Sequence, residues 1–490
     1  MILLVKNVRI VDGSGQPPYK ADVIAVNGRI TGIGNFSDKR ADRVINGLGG
    51  YLAPGFIDVD TDTDHCLDLF RNPQHKSFLR QGVTTVLGGL CGSSLAPILY
   101  GHLDSMRWWS DSRGINVDWR TEKEFLRSLR RLPLGVNFGT LVGHYTLRFD
   151  IAGERERIQK SELAVMEKML SDSLRDGAFG LSFGLGFVSE QKTSRAEISA
   201  LAKIIRCSDA ICALHLRNDR EGFLESVKEA GDIAREMPVI ISHFYPSTAN
   251  EARYEKALDL IAASPSLYFD INLRKEKNIA LRSFLPMEFS GKDADFITAE
   301  ISKPAIAGRI RRKWTGYDYR NMRIIRAPRQ EYLEGKTIHD FARNRDLLPA
   351  EGLLELMKMT RLRGAVAEPR PLPELSLLAS RHERGLIASN SSESLEVKGN
   401  GNVFMEYLAA VTDKIPLEEG IRKITFLPAK LLGLRDRGLI KEGYVADMVV
   451  FNDYRVKDVI VSGKQAVRDG ECADAAAGKI LIHHAEKKRR

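Results

Sequence analysis

Ala53-Pro-Gly-Phe-Ile-Asp-Val-Asp-Thr-Asp-Thr-Asp-His65 is the stretch on which the reading of this chain turns. An apolar run enters it and leaves as alternating aspartates, the pattern of a strand whose last residues open onto a polar site. Successive side chains of a strand face opposite ways, so Asp58, Asp60 and Asp62 are expected on one side, aimed at a common interior or mouth. Carboxylates crowded in this way raise one another's pKa unless a donor or cation relieves them. Asp60 and Asp62 are therefore expected to be partly protonated, paired with a basic residue, or bound to a hard ion such as Mg²⁺, Mn²⁺ or Ca²⁺.

Working outward, strand-like runs alternate with amphipathic helical stretches such as 160–175, 195–206, 222–235 and 250–263. Strands are expected at 52–60, 84–90, 136–142, 178–183, 211–216, 239–242, 267–271 and 386–389, which predicts a parallel (β/α)₈ barrel over about 54–434. Residues 1–53 read as short alternating strands, with Asn27-Gly28 between two apolar runs as a hairpin signal. Residues 435–482 repeat that style, and the two ends together predict one small β-sandwich. The segment 272–335 is basic and irregular, and is expected as an insertion able to cover the barrel mouth. A basic tail occupies 483–490.

The bulk properties restrict the function. The 490 residues are 43% hydrophobic and 28% charged, an ordinary globular balance, and they hold no run long and apolar enough for a membrane span. The first residues reach Lys6 and then alternate as a strand does, so no secretory leader is expected. Five cysteines give neither a disulfide framework nor zinc-knuckle spacing, and fit a reducing cytoplasm. The net charge of +9 gathers at 309–313, 320–329 and 487–490. No nucleic-acid-binding pattern accompanies it, so nucleic acid is not an expected partner, and homo-oligomerisation is left open.

Barrels place their reactive groups at the carboxyl ends of strands. Cys91 follows the second expected strand, His215 ends Cys-Ala-Leu-His, and His243 ends Ile-Ile-Ser-His. A thiolate and two imidazoles suit Zn²⁺ and leave its fourth position for water or substrate. Each residue alone reads more readily as packing, a buried cysteine as a small hydrophobe and a strand-end histidine as a hydrogen-bonded core group.

Set in order, Ala53-Pro-Gly-Phe-Ile-Asp58, Gln81-Gly-Val-Thr-Thr85, Cys91-Gly-Ser-Ser-Leu-Ala-Pro97, Leu141-Val-Gly-His-Tyr-Thr-Leu-Arg148, Gly177-Ala-Phe-Gly-Leu-Ser182, His215-Leu-Arg217, Ile241-Ser-His243, Leu427-Pro-Ala-Lys430 and Gly443-Tyr-Val-Ala-Asp447 resemble the amidohydrolase superfamily. Within it the chain resembles the D-aminoacylase, or N-acyl-D-amino-acid deacylase, branch. The resemblance implies a metal-dependent hydrolase of a carbon–nitrogen bond in a small N-acyl compound, with one zinc on Cys91, His215 and His243. It also marks departures. Asp60 and Asp62 stand where the family carries His-x-His, Asn390 where it carries its catalytic aspartate, Phe187 for a substrate-contacting tyrosine, and Tyr245 for a lysine.

An amide has no usable basicity near neutral pH, so Asn390 should not perform the proton transfer of the matching aspartate. A substitute would have to come from Asp60, Asp62, Asp64, His65 or His144, while His144 and Arg217 are candidates to hold a substrate carbonyl or carboxylate. Two readings follow: a divergent enzyme with one zinc and no second metal, or a non-catalytic relative that serves as a binding or partner subunit.

Overall fold

The computed structural model describes residues 1–484 apart from 37–38, 102, 104, 107–108, 111, 113–114, 154, 188–189, 290–291, 315–316, 394–401 and 474–475. Of the basic tail expected at 483–490, residues 485–490 lie outside the described residues.

Eight parallel strands form the barrel. They are β1 (Phe56–Asp58), β2 (Val83–Gly88), β3 (Asn137–Thr140), β4 (Gly180–Gly184), β5 (Ile211–His215), β6 (Val239–Ser242), β7 (Leu267–Ile271) and β8 (Gly385–Ile387). Strands β1 to β3 pair in sequence, and so do β4 to β8. Val142–Gly143, one residue beyond β3, pairs with β4 and joins the two sets. A parallel bridge from Thr61 to Ser391 closes β1 against β8.

Alternation explains why these short runs become barrel strands. In β5, Cys212 and Leu214 belong to the core beneath the helices, while Ile211 and Ala213 belong to a second cluster. In β6, Val239 and Ile241 take the helix side and Ile240 joins that second cluster with Ile57, Leu87, Leu141 and Leu386. Both faces are apolar because helices cover the outside and side chains fill the inside.

The two ends of the chain meet in one sheet. In order, it runs Glu471–Cys472, Lys464–Arg468, Arg455–Val461, Met448–Asn452, Tyr51–Pro54, Ile2–Ile10, Tyr19–Val26 and Arg29–Gly34, with Arg43–Asn46 parallel to Ile2–Ile10. The seam is the antiparallel pairing of Val449 with Ala53 and of Val450 with Leu52. Asn27 and Gly28 both have positive φ, 50° and 85°, as the hairpin signal requires. Gly28 cannot be replaced cheaply, since a Cβ would lie 2.7 Å from the Ser462 carbonyl oxygen.

Between β7 and β8 the chain departs from its irregular appearance in sequence. Glu276–Ala280, Arg323–Arg326 and Ala365–Pro369 form an antiparallel sheet, and helices Ala294–Ile301, Pro304–Lys313, Ile338–Arg343 and Pro349–Met359 pack on a separate core including Ile310, Trp314, Ile324, Phe341 and Val366. Residues 272–335 are thus only the first part of a structured excursion. Its basic residues hide the helical pattern: Pro304–Lys313 carries four cations in its last five residues yet starts at Pro304, a favoured first helical position.

Candidate metal centre

Cys91, His215 and His243 converge beyond the ends of β2, β5 and β6. The Cys91 sulfur lies 3.0 Å from Nε2 of His243 and 3.9 Å from Nδ1 of His215, and the three donor atoms lie within 4.8 Å of one another. Local backbone puts them there. Cys91 and His243 adopt φ of 51° and 58°, in the left-handed region where non-glycine residues rarely sit, and Asn390 beyond β8 adopts 48°. Such conformations cost of order 1 to 3 kcal/mol each and gather at functional sites, where surrounding structure holds them in place. At these turns the backbone leaves the strand direction just where a side chain must face the mouth.

His215 ends its strand without a left-handed turn and is held by close packing. A Cβ on Gly186 would meet its ring at 2.6 Å, so that glycine forms a cradle only a bare backbone can provide. Phe187 packs on the same ring at 4.9 Å between centroids, and Trp109 meets Phe187 edge-on at 5.6 Å. Trp109 in turn stacks on His65 at 4.2 Å. An aromatic wall therefore lines one side of the donors.

Electrostatics separate the donors from ordinary polar groups. Burial pushes His215 down to about 4, with Lys277 adding to the effect, and pushes His243 well below its usual value, aided by His215, Lys277 and Arg370. Both imidazoles are neutral at pH 7, the state that ligates metals. Burial, then the carboxylates of Asp60, Asp62, Asp270 and Glu190, raise the Cys91 thiol. A nearby cation reverses that balance and deprotonates a coordinating thiol. The residues fit a zinc ion: a soft sulfur and two neutral nitrogens converge within 4.8 Å of one another, near enough to share one ion that such ligands bind at about 2.0 to 2.3 Å.

The aspartates do not stay on one side as alternation predicted, because β1 ends at Asp58. Asp58 accepts hydrogen bonds from the backbone N–H of Ser389 and of Asp60, at 3.1 and 3.3 Å, tying the first strand to the last. Its burial lifts it to about 7 despite those donors. Asp60 turns toward His243, with its Oδ2 3.3 Å from Nδ1. Burial raises Asp60 well above the carboxylate range, followed by repulsion from Asp270, Asp62 and Asp58. Asp62 turns the other way and pairs with His65 at 2.9 Å. Burial opposes charge on His65, but Asp64 and Asp62 more than offset it and lift it to about 9. Asn390 donates its backbone N–H to the Asp60 carbonyl at 2.9 Å, so the two altered positions are joined.

His144 and Arg217 require correction as substrate hooks, since His144 has both nitrogens and Arg217 most of its guanidinium engaged elsewhere. His144 is completely buried, with Nδ1 on Glu190 and Nε2 on Glu197 at 2.9 Å, and Arg148 approaches Glu197 at 3.3 Å. Arg217 forks onto Glu229 at 2.9 and 3.0 Å and also donates to the carbonyls of Gln191 and Thr193. These contacts hold both side chains away from the three donor residues' role.

Sequence reading missed three residues. Asp270, the penultimate residue of β7, accepts the His243 backbone N–H at 3.0 Å and faces Asp60; its only local signal is a charge inside an apolar strand. Lys277 and Arg370, at the start and end of the excursion, both bear electrostatically on His243. Arg370 stacks on the Tyr245 ring at 3.6 Å and donates to Asn272 at 3.0 Å. Nothing local in the sequence marks either one.

Comparison with known proteins agrees with this architecture. The amidohydrolase family model matches residues 396–470. D-aminoacylase of Alcaligenes xylosoxydans xylosoxydans is 28% identical over 93% of this chain and 89% of its own length. N-acyl-D-aspartate deacylase of the same organism is 28% identical over 93% and 86%. The crystal structure of N-acyl-D-glutamate deacylase from Bordetella bronchiseptica, complexed with zinc and a phosphonate inhibitor, superposes with a TM-score of 0.78 at 20% identity, covering 98% of this chain and 99% of that one. The resemblance to the D-aminoacylase branch of amidohydrolases thus runs through nearly the whole chain, and the barrel with its appended sheet is the fold of those proteins.

Proposed function

We propose that the chain is a metal-dependent amidohydrolase that cleaves the amide bond of a small N-acyl compound, with a zinc ion held by Cys91, His215 and His243. The observation that carries this reading is the convergence of one thiol and two neutral imidazoles within 4.8 Å at the carboxyl ends of three barrel strands. The named relatives act on N-acyl-D-amino acids, which sets the class of substrate to try first. Bound there, zinc would supply Lewis acidity toward the acyl carbonyl and lower the pKa of water.

The remaining work falls to residues of this chain. His215 and His243 offer neutral nitrogens, and the left-handed turns at Cys91 and His243 keep the donors in place without substrate. Trp109 and Phe187 present an apolar wall for an acyl group and exclude water from that side. Asn390 can orient a group by hydrogen bonding but cannot take a proton. The proton must go to a carboxylate, and of the two facing His243 it is Asp270, lifted by burial to about 6 where Asp60 is raised further, that can take it.

A second reading is favoured specifically by Asn390: a barrel that binds a metal and a small ligand without turning it over. Metal analysis of protein purified without added metal, followed by assays on N-acetyl and other N-acyl D-amino acids, separates the two. Zinc that disappears in Cys91→Ala together with amide hydrolysis supports the enzyme. Zinc with no hydrolysis, and hydrolysis gained only on combining Asp60→His, Asp62→His and Asn390→Asp, supports the binding protein.

A further inference from the structure

The His243 ring has two working ends. Nε2 faces the Cys91 sulfur, while Nδ1 faces Asp60, and the Asp270 carboxylate approaches the same point. We infer that Asp60, Asp270 and Nδ1 of His243 form a second divalent-cation site, which shares only His243 with the Cys91, His215 and His243 set. It would take a first-row ion such as Mn²⁺ or Zn²⁺.

Three observations carry the assignment. One donor atom from each of the three residues lies within 4.8 Å of the others. Asp60 is 1% exposed and Asp270 is 0% exposed, so water does not solvate their charge. Both Asp60 oxygens, Oδ2 of Asp270 and Nδ1 of His243 lack a well-aligned hydrogen bond among the described residues, the contacts within reach being that of the Asp60 and Asp270 carboxyls with each other and that of Ser242 with Asp270. Sharing one proton between the two carboxyls still leaves one buried charge, and buried carboxylates that persist are ordinarily paired or bound to metal.

The surroundings do not supply the missing cation. Arg370, the basic residue that bears on Asp270, lies flat on Tyr245 and donates to Asn272 instead. His65, the other nearby base, is held by Asp62. A single carboxylate against the far nitrogen of a metal-bound histidine commonly serves to orient the ring. Here two carboxylates meet at that nitrogen, and one N–H could satisfy only one of their oxygens. Two carboxylate oxygens and one imidazole nitrogen make a harder donor set than the sulfur-containing one. Binding at both ends requires the His243 ring to release its remaining proton to solvent, so uptake of the second ion lowers the pH of an unbuffered solution.

The inference shares His243 with the proposed function but rests on Asp60 and Asp270, which allows each to fail alone. Full-length protein is stripped with a chelator and dialysed against Zn²⁺ or Mn²⁺. Bound metal is then counted by mass spectrometry, with thermal melting as a second readout. Two ions per wild-type chain, one in Asp60→Asn and in Asp270→Asn, and a Mn²⁺-induced rise in melting temperature that both variants lose would bear the site out. The two substitutions keep side-chain size, and circular dichroism of the stripped proteins checks that each remains folded. One ion that Cys91→Ala loses and both asparagine variants keep overturns this site and leaves the proposed function standing. One ion that Cys91→Ala keeps and the asparagine variants lose supports this site and overturns the sulfur-containing one. Failure to bind either metal overturns both.

Discussion

His215 ends β5 and His144 follows the Val142–Gly143 segment that pairs with β4, yet the two have opposite chemistry. His215 has apolar and aromatic neighbours and a sulfur within 3.9 Å, and burial holds it neutral, down to about 4. His144 has a glutamate on each nitrogen, which outweighs its burial and lifts it to about 9. A strand-end position brings a histidine to the mouth of a barrel, but the groups facing its two nitrogens decide whether it ligates or forms a salt bridge. One is a ready donor; the other is part of a buried ionic brace.

The sharpest way to break this contrast is to remove a ligand on one side of it. Cys91→Ala should abolish one bound zinc and, if the chain hydrolyses N-acyl substrates, lower kcat/KM by about 10³-fold or more, since Lewis-acid stabilisation is worth several kcal/mol. Unchanged metal content in this variant would remove the donor side of the comparison. The brace should respond differently. His144→Ala leaves Glu190 and Glu197 buried without their partner and should cost about 3 to 5 kcal/mol in urea denaturation. Its metal stoichiometry should stay that of the wild type, and loss of metal without loss of stability would show His144 to belong with the ligands.

Glu122 sharpens the brace side, because it is a buried carboxyl with no histidine against it. Both its oxygens lack hydrogen-bond partners, and burial, with Asp176 adding to it, lifts it from 4.5 to about 8. The folded chain holds that proton to higher pH than the unfolded chain does. This group's contribution to stability should therefore decline as pH rises from about 4.5 to about 8. Glu122→Gln should remove that slope, leaving the variant more stable than wild type by roughly 4 kcal/mol at pH 8 and equal to it near pH 4. A parallel pH profile for the two proteins would count against it.

The smallest expected effect belongs to Arg217→Ala. Its pair with Glu229 is partly exposed, so stability should change by about 1 kcal/mol or less, and KM should stay within about twofold. A tenfold rise in KM would return Arg217 to the substrate.

Much of the fold was legible in the sequence because it rests on local signals. The eight expected strands each overlap an observed one, and Asn27-Gly28 is a hairpin turn because only those residue types accept two consecutive positive φ values at low cost. Within the excursion between β7 and β8, the helical look of 338–344 and 350–363 matches Ile338–Arg343 and Pro349–Met359, while 272–335 was misread as irregular because its cationic helices mask their apolar faces, which pack on a core of their own. The aspartate run was misread at Asp62, where β1 had already ended and period-two alternation no longer applied.

By itself, the sequence determined the alternation of strand and helix, the pairing of the two strand-rich ends, and the presence of Cys91, His215 and His243 after separate strands. These are properties of neighbouring residues, set by side-chain periodicity and turn conformation. Tertiary structure alone decided which groups face one another. It set Glu190 and Glu197 on His144 across 46 and 53 residues, Asp270 beside Asp60, and one imidazole between a thiol and two carboxylates. Closing the barrel brings strand ends far apart in the chain to within a few ångströms, and at that range burial and the charge of each neighbour fix what a residue can do.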